Sequence, residues 1–287
     1  MQEPLDVRLA ETYGALSATL RQAADYVIEN PVAATSRSLR AVAQESGLSP
    51  AAFSRMARAV GYESFEALRE EMRESLDRRM NRFSKRAELL CETHAGGAGH
   101  FLETYTESCT ANIRALGETL DPARLEAAVE ALHEARRVVL VGALGSTGVV
   151  EHVAYMANFL SADWTLAARA GSSMGAALAG LGAGDAMLVV TKPPCATSSL
   201  RAAALAREQG AAVVVVTDTH ACPALPHATH AFIVPGQSTN FFTSYTPTLF
   251  LLETIMGLVA RRGGAEARRR IGEVEARNRR LDEVQDG

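Results

Sequence analysis

Cysteine, long hydrophobic runs and an excess of positive charge are all scarce in this chain, and each scarcity removes a class of protein. Its 287 residues include four cysteines, at 91, 109, 195 and 222. They lie far apart with no CxxC and no Cys/His ligand spacing, which argues against a zinc site or a disulfide framework and for reduced thiols. The longest apolar stretches are strand-length and broken by glycine, so a membrane span is not supported. The opening MQEPLDVRLAETYG has no basic-then-apolar segment of the signal-peptide kind, and a cytoplasmic location is expected. Lys and Arg number 29 against 33 Asp and Glu, a net charge of -4. Any affinity for nucleic acid must therefore come from local clustering and a motif. What remains, 47% hydrophobic and 22% charged residues over this length, suits a soluble chain with two domains, each able to bury its own core.

The chain changes character near residue 90. Up to that point apolar residues recur at spacings of three and four with no β-branched run, which predicts helices throughout. From residue 138 onward short apolar strands alternate with Ala-rich helical segments. The junction ETHAGGAGHF, residues 92–101, is small, Gly-rich and polar, and reads as a flexible linker.

Within the first part, SRSLRAVAQESG predicts a helix with Leu39, Val42 and Ala43 on one face, stopped by Gly47. LSPAAFSRMARAVG follows at once, with Ser49 as N-cap, Pro50 at the first helical position and Gly61 as the stop. Two short helices joined by a tight glycine turn form the helix-turn-helix pattern. Phe53, Met56 and Val60 face the core, leaving Ala51, Ala52, Ser54, Arg55 and Arg58 outward. Small residues near the helix start allow close approach to a major groove, Ser54 and Arg55 can reach base edges, and Arg58 can meet phosphate. Ser49 and the helix N-terminus can hold a backbone phosphate. The candidate DNA contacts are Arg37, Ser49, Pro50, Ala51, Ser54, Arg55 and Arg58. The competing reading is a small helical bundle with a solvated arginine face.

The run from ADYVIENP through SLRAVAQESGLSPAAFSRMARAVGYESFEALREEM resembles the N-terminal domain of the RpiR family of bacterial transcription regulators. Ala52 departs from that family, which often carries threonine there; the change removes one possible hydroxyl contact.

In the second part, RRVVLVGALGSTGVVEHVAYMANFL begins with a buried strand and turns through Gly142, Gly145 and Ser146 into a helix. Backbone amides and the Ser146 hydroxyl at such a turn can hold an anion. The turn is not a Walker loop, and it fails the full GxGxxG dinucleotide pattern. Later strands AMLVV, AAVVVVTD and HAFIVP, separated by helices, predict a parallel sheet covered on both faces, with ligands gathering at the strands' carboxyl ends. Residues 105–262 resemble a SIS (sugar isomerase) domain, the partner that RpiR-type regulators carry behind their helix-turn-helix domain. The matching pieces are VGALGSTGVVEHVAYMANFL, GLGAGDAMLVVT, LRAAALAREQGAAVVVVTD, ATHAFIVPG and TPTLFLLETIMGLVARR, the last resembling a long closing helix that often packs between subunits.

The resemblance weakens at the loop TKPPCATSS. SIS domains usually read Ser-x-Ser-Gly-x-Thr there, hydroxyls and a glycine that wrap a sugar phosphate. An ungapped fit places Thr191, Lys192, Pro193, Pro194, Cys195 and Ala196 in those positions, so the usual cradle cannot form unchanged. Three readings stand. Thr197, Ser198, Ser199, Lys192 and Ser146 can rebuild a phosphate or carboxylate site at two helix N-termini; the prolines and Cys195 can wall a site for a less charged effector; or the domain binds nothing and only dimerises. The candidate effector residues are Gly145, Ser146, Thr147, Ser172, Ser173, Thr191, Lys192, Thr197, Ser198 and Ser199.

Other residues read more plainly. Cys195 near a helix N-terminus invites a thiol-sensor reading, but without a resolving partner it reads as a small apolar filler. Glu151 and His152 adjoin the first turn, where an isomerase would want an acid or base, yet nothing pairs them with a second catalytic group. His220, His227 and His230 cluster among prolines without ligand spacing. Phe241, Phe242 and Tyr245 are expected at the start of the closing helix. The charged segment AEARRRIGEVEARNRRLDEVQDG reads as a solvated or docking helix.

The expected fold is thus an all-α helix-turn-helix domain followed by an α/β SIS domain. Expected boundaries are 1–90 for the DNA-binding domain, 91–104 for a linker, 105–265 for an effector and oligomerisation domain, and 266–287 for a charged helix or tail. The expected function is a DNA-binding transcriptional regulator, not an enzyme, with no cofactor and no metal. It would bind an approximately palindromic operator as a homodimer or homotetramer and sense a small effector, a phosphosugar among the candidates. A sugar-phosphate isomerase and an effector-blind dimer are the alternatives.

Overall fold

The computed structural model describes residues 5–80, 82–93, 97–169 and 171–284. The chain divides into two compact units, residues 1–89 and 90–287.

The first unit is built from helices α1 (Leu5–Thr12), α2 (Ala18–Glu29), α3 (Pro31–Ser36), α4 (Leu39–Ser46), α5 (Pro50–Ala59) and α6 (Phe65–Met80), with α7 (Arg82–Thr93) following. Short polar residues set the helix starts: the Ser38 and Ser49 hydroxyls accept from the amides of Ala41 and Ala52, each at 3.2 Å. Gly47 stops α4 in the left-handed region at φ 70°, where a side chain would be strained. The core gathers Val27 of α2, Val42 of α4, Phe53, Met56 and Ala57 of α5 and Leu68 of α6, all inaccessible to solvent. Phe53 is its centre, with edge-on rings of Tyr26 and Phe65 at 6.0 and 5.5 Å. Arg69 and Arg73 donate to the carbonyl oxygen of Thr35 at the end of α3, each at 3.0 Å, satisfying a helix C-terminus that lacks intrahelical partners.

The second unit contains α8 (Gly97–Thr119), α9 (Pro122–His133), β1 (Val138–Gly142), α10 (Thr147–Asn158), β2 (Trp164–Leu166), α11 (Met174–Leu178), β3 (Ala186–Val190), α12 (Thr197–Glu208), β4 (Ala212–Thr217), β5 (His230–Ile233) and α13 (Thr246–Arg280). The five strands are parallel in the order β2-β1-β3-β4-β5. β1 and β3 are buried at every position because helices cover both faces. Alternate residues serve opposite cores. Val138, Leu140, Leu188 and Val190 meet α9, α10 and α13, whereas Val139, Val141, Met187 and Val189 meet α11 and α12.

The chain steps from β1 out to β2 and then back past β1 to β3, so α10 and α12 leave neighbouring strands on opposite faces. That is a topological switch point, the place above the carboxyl ends of β1 and β3 where open α/β sheets gather ligands. The register, Gly142 beside Val190 and Val190 beside Val216, brings the loops after β1, β3 and β4 to one edge.

One expectation changes. The segment 91–104, expected as a flexible linker, is helical where described, in α7 to Thr93 and in α8 from Gly97, while 94–96 lie outside the described residues. A glycine costs a helix about 1 kcal/mol; α8 runs 23 residues and docks through buried Asn112 and Leu116, which offsets that cost. The charged segment from 266 is the second limb of α13, which bends at Gly264 (φ 54°, ψ -122°) and continues to Arg280. Arg262 in the first limb pairs with Glu126 and Glu130 of α9. Among the described residues no helix is long and apolar enough to cross a membrane.

Candidate functional site

After β1 the backbone makes a 3-10 turn, Leu144–Ser146, and enters α10 directly. The turn depends on Gly142. A Cβ there would lie 2.7 and 2.8 Å from the γ-carbons of Val150 and 2.9 Å from the carbonyl oxygen of Ser146. Leu144 holds φ at 55° and Ala168, just beyond β2, at 56°. Non-glycine residues reach this region only at a cost and concentrate at functional sites. Ser146 is 1% exposed, its Oγ 3.0 Å from the Tyr245 hydroxyl. Thr147 Oγ1 accepts from Arg169 Nη2 at 3.0 Å, and Arg169 also donates to Glu151 and to the Gly142 carbonyl. Arg169 was not singled out in the sequence; its only signal is its place just after an edge strand.

The loop after β3 opens with Thr191, whose amide extends the ladder by donating to the Val216 carbonyl at 3.0 Å. Lys192, expected to offer its charge to an effector, is 6% exposed. Its Nζ donates to the Ser244 carbonyl at 3.1 Å and sits 4.4 Å from the centroid of the Tyr245 ring. Pro193–Pro194 is a cis peptide. α12 then begins behind Ala196, which supplies no side-chain cap. Thr197 and Ser198 are exposed, and Ser199 is buried with its Oγ lacking a hydrogen-bond partner.

Residues 235–245 form a strap over this edge. Asn112 of α8 pins it, donating to the Gln237 carbonyl at 2.6 Å and accepting from its amide at 3.2 Å. Phe241, Phe242 and Tyr245 lie in the strap, ahead of α13, not inside the helix as expected. The Phe242 and Tyr245 rings stack with centroids 6.3 Å apart. A Cβ on Gly145 would come within 3.0 Å of the Phe242 ring. Burial raises the Tyr245 hydroxyl pKa, with Asp218 and Cys195 adding to the effect and the Ser146 hydrogen bond opposing it. Asp218, at the end of β4, has a buried Oδ1 without a hydrogen-bond partner. It also lines a cavity of about 400 Å³ with Thr119, Asp121, Arg124, His220 and Phe232.

The structure therefore brings Gly145, Ser146, Lys192 and the strap together, with Thr147 on Arg169 beside them. Ser172 and Ser173 are exposed on the loop before α11, where Ser173 accepts from the Ala176 amide as a cap. Glu151 is paired with Arg169, and His152 lies 3.4 Å from Glu253. Among the described residues no group of three or more His, Cys, Asp or Glu could hold a metal.

In the first unit, Pro50, Ala51, Arg55 and Arg58 are exposed on α5 and Ser54 is half-buried. One expectation needs correction. Ala52 is fully buried, since its Cβ turns toward the core beside Phe53. Arg37 is exposed and forms a surface ion pair with Glu45, eight residues on. The Ser49 hydroxyl is engaged as the α5 cap.

A family model described as SIS domain matches residues 131–256. The C-terminal unit contains a SIS domain. Among solved structures, NanR of Vibrio vulnificus complexed with ManNAc-6P is 18% identical, covering 96% of this chain and 98% of that chain at a TM-score of 0.56. The sugar isomerase domain of an RpiR transcription factor from Sphaerobacter thermophilus is 24% identical, covering 60% of this chain and 97% of that chain at 0.57. At these identities the likeness establishes the fold: a helical N-terminal region followed by a SIS domain. No curated protein sequence matches the chain.

Proposed function

We propose that the protein is a DNA-binding transcriptional regulator whose SIS domain senses a small metabolite. The observation that carries this reading is the two-sided α5. Phe53, Met56 and Ala57 are inaccessible, while Pro50, Ala51, Arg55 and Arg58 stand exposed behind a capped N-terminus and a tight turn from α4. That is the surface a recognition helix offers a major groove, with small residues for approach and arginines for base edges and phosphate. The near full-length likeness to NanR, and that of the second unit to a domain of an RpiR transcription factor, support the same architecture: a DNA-binding domain over 1–90, a junction at 91–104, an effector and oligomerisation domain over 105–265, and a charged helix beyond. A homodimer or homotetramer would present two α5 helices to an approximate palindrome.

The effector belongs at the β1/β3 switch point. NanR is described with ManNAc-6P, and the uncapped start of α12 with Thr197 and Ser198 supports an anionic group there, a phosphosugar being the leading class. A neutral or weakly acidic ligand is the second reading, favoured by the commitment of Lys192 to Ser244 and by the Phe242–Tyr245 cover. Catalysis is not part of the proposal, because Glu151 and His152 are engaged with Arg169 and Glu253.

A thermal-shift panel of sugar phosphates, free sugars, carboxylates and neutral metabolites tests the effector class. A ligand at a hundredfold its Kd adds about 2.7 kcal/mol to native stability. Hits confined to phosphates support the α12 anion site, hits among uncharged molecules support the second reading, and interconversion of aldose and ketose phosphates would overturn the regulator assignment.

A further inference from the structure

Cys195 and Cys222 are distant in sequence, but the sheet brings them together. β3 and β4 are paired neighbours, with Val190 beside Val216. The loop leaving β3 carries Cys195 and the loop leaving β4 carries Cys222, and both side chains pack into the core beneath α12. Each thiol is the largest single influence on the other's ionisation. Cys222 is 3% exposed and Cys195 is half-buried. A small oxidant can therefore arrive from the Cys195 side, while bulky thiols and other proteins are kept from Cys222. The absence of a resolving partner, which made Cys195 read as an inert filler in the sequence, is thereby removed.

We propose that Cys195 and Cys222 are a redox-active pair that a peroxide oxidises to an intramolecular disulfide, stapling the loop after β3 to the loop after β4. One thiolate attacks the O–O bond of hydrogen peroxide, giving a sulfenic acid and hydroxide, which takes up the proton that the thiol had shed. The second thiol then displaces the sulfenic hydroxyl as water, so two thiols and one peroxide yield one disulfide and two waters. The surroundings favour the first step. Sharing of the Cys195 proton holds Cys222 down to about 6, aided by the Ala224 amide and against burial and the nearby Asp218. The same interaction pushes Cys195 up, together with burial, so Cys222 is the thiol that ionises more readily. The other titratable groups at this edge are Lys192 on the same loop, Tyr245 on the strap and His220 on the loop after β4, the first two engaged as described above. The staple would fix the Lys192–Ala196 segment, which is half of the proposed effector site; that consequence rests on the proposed function, and the disulfide itself does not.

The test uses the full-length protein, treated with stoichiometric hydrogen peroxide, alkylated and mapped by peptide mass spectrometry. The expected product joins the Cys195 and Cys222 peptides, two hydrogens lighter than their reduced sum and restored by dithiothreitol. Its rate of formation should rise with a midpoint near pH 6, well below the ordinary thiol value of about 8.5. Cys195→Ser should leave Cys222 without a partner for the disulfide, so that its peptide carries one added oxygen by mass. A sulfinic acid on either residue, a disulfide that draws in Cys91 or Cys109, or two thiols that stay alkylatable would overturn the pairing. Amide hydrogen exchange over residues 191–199 reads the consequence: protection on oxidation supports regulation of the site, and unchanged exchange despite the disulfide refutes that part. Neither readout uses DNA or an effector, so failure here and failure of the proposed function are separable.

Discussion

Replacing Gly142 with alanine tests the geometry on which the site depends. The added methyl would meet both γ-carbons of Val150, at 2.7 and 2.8 Å, and the backbone oxygen of Ser146 at 2.9 Å. Val150 cannot turn aside, because it is β-branched and fully buried, so either γ-carbon position faces the intruding methyl. The carbonyl of Ser146 belongs to the turn itself. Relief therefore requires α10 to move off β1, an overpacking that costs about 1–3 kcal/mol. For a unit of this size each kcal/mol moves the melting temperature by about 2–4 °C, so Gly142→Ala should melt roughly 2–12 °C lower. Gly148→Ala is the matched control, six residues along and inside α10, where the new methyl meets nothing within 4 Å. There the same substitution improves helix propensity by up to about 1 kcal/mol and should leave melting unchanged or raise it by a few degrees. Calorimetry or near-UV dichroism reads both. Equal shifts in the two variants, or an unaltered Gly142→Ala, would refute the argument that close approach of α10 shapes the turn.

Two further outcomes follow from particular contacts. Asp185 is 2% exposed and accepts from Arg136 Nε and Nη2 and from the Gly182 amide at 2.9–3.0 Å. The Arg136 pairing holds its carboxyl below the usual value against burial. A lowered folded pKa stabilises above the unfolded value and is lost as pH falls toward the folded one, so Asp185→Asn should cost about 1–3 kcal/mol at pH 7, and the gap should close below about pH 4; a gap that widens in acid would contradict the sign. Ser49→Ala removes the α5 cap and should cost the first unit about 0.5–2 kcal/mol in urea unfolding, while Ser49→Asp should recover most of it.

The fold class was legible because its signals are local. Continuous apolar strands, Ser49–Pro50 at a helix start and Gly47 at a helix end all act within a few residues, and the parallel sheet with covered faces follows from the strands' lack of alternation. The destinations of side chains across the site were not legible, since they depend on segments far away in sequence. Lys192 looks available until the strap brings Ser244 and Tyr245 over it. Cys195 looks solitary until β4 delivers Cys222. Arg37 looks like a free cation until α4 turns Glu45 back to it. The Gly-rich composition of 97–104 misled in another way, since α8 begins at Gly97 and runs on to the buried Asn112 and Leu116.

The most direct test of the central claim is selection of operators from random duplex DNA by the full-length protein, followed by anisotropy titration of wild type and the Arg55→Ala/Arg58→Ala variant on the enriched sequence. The account predicts an approximately palindromic motif, affinity that falls steeply with salt, and a loss in the variant of at least tenfold, about 1.4 kcal/mol. Enrichment of no motif, or equal affinity of the two proteins for it, would contradict the assignment of α5 as a recognition helix.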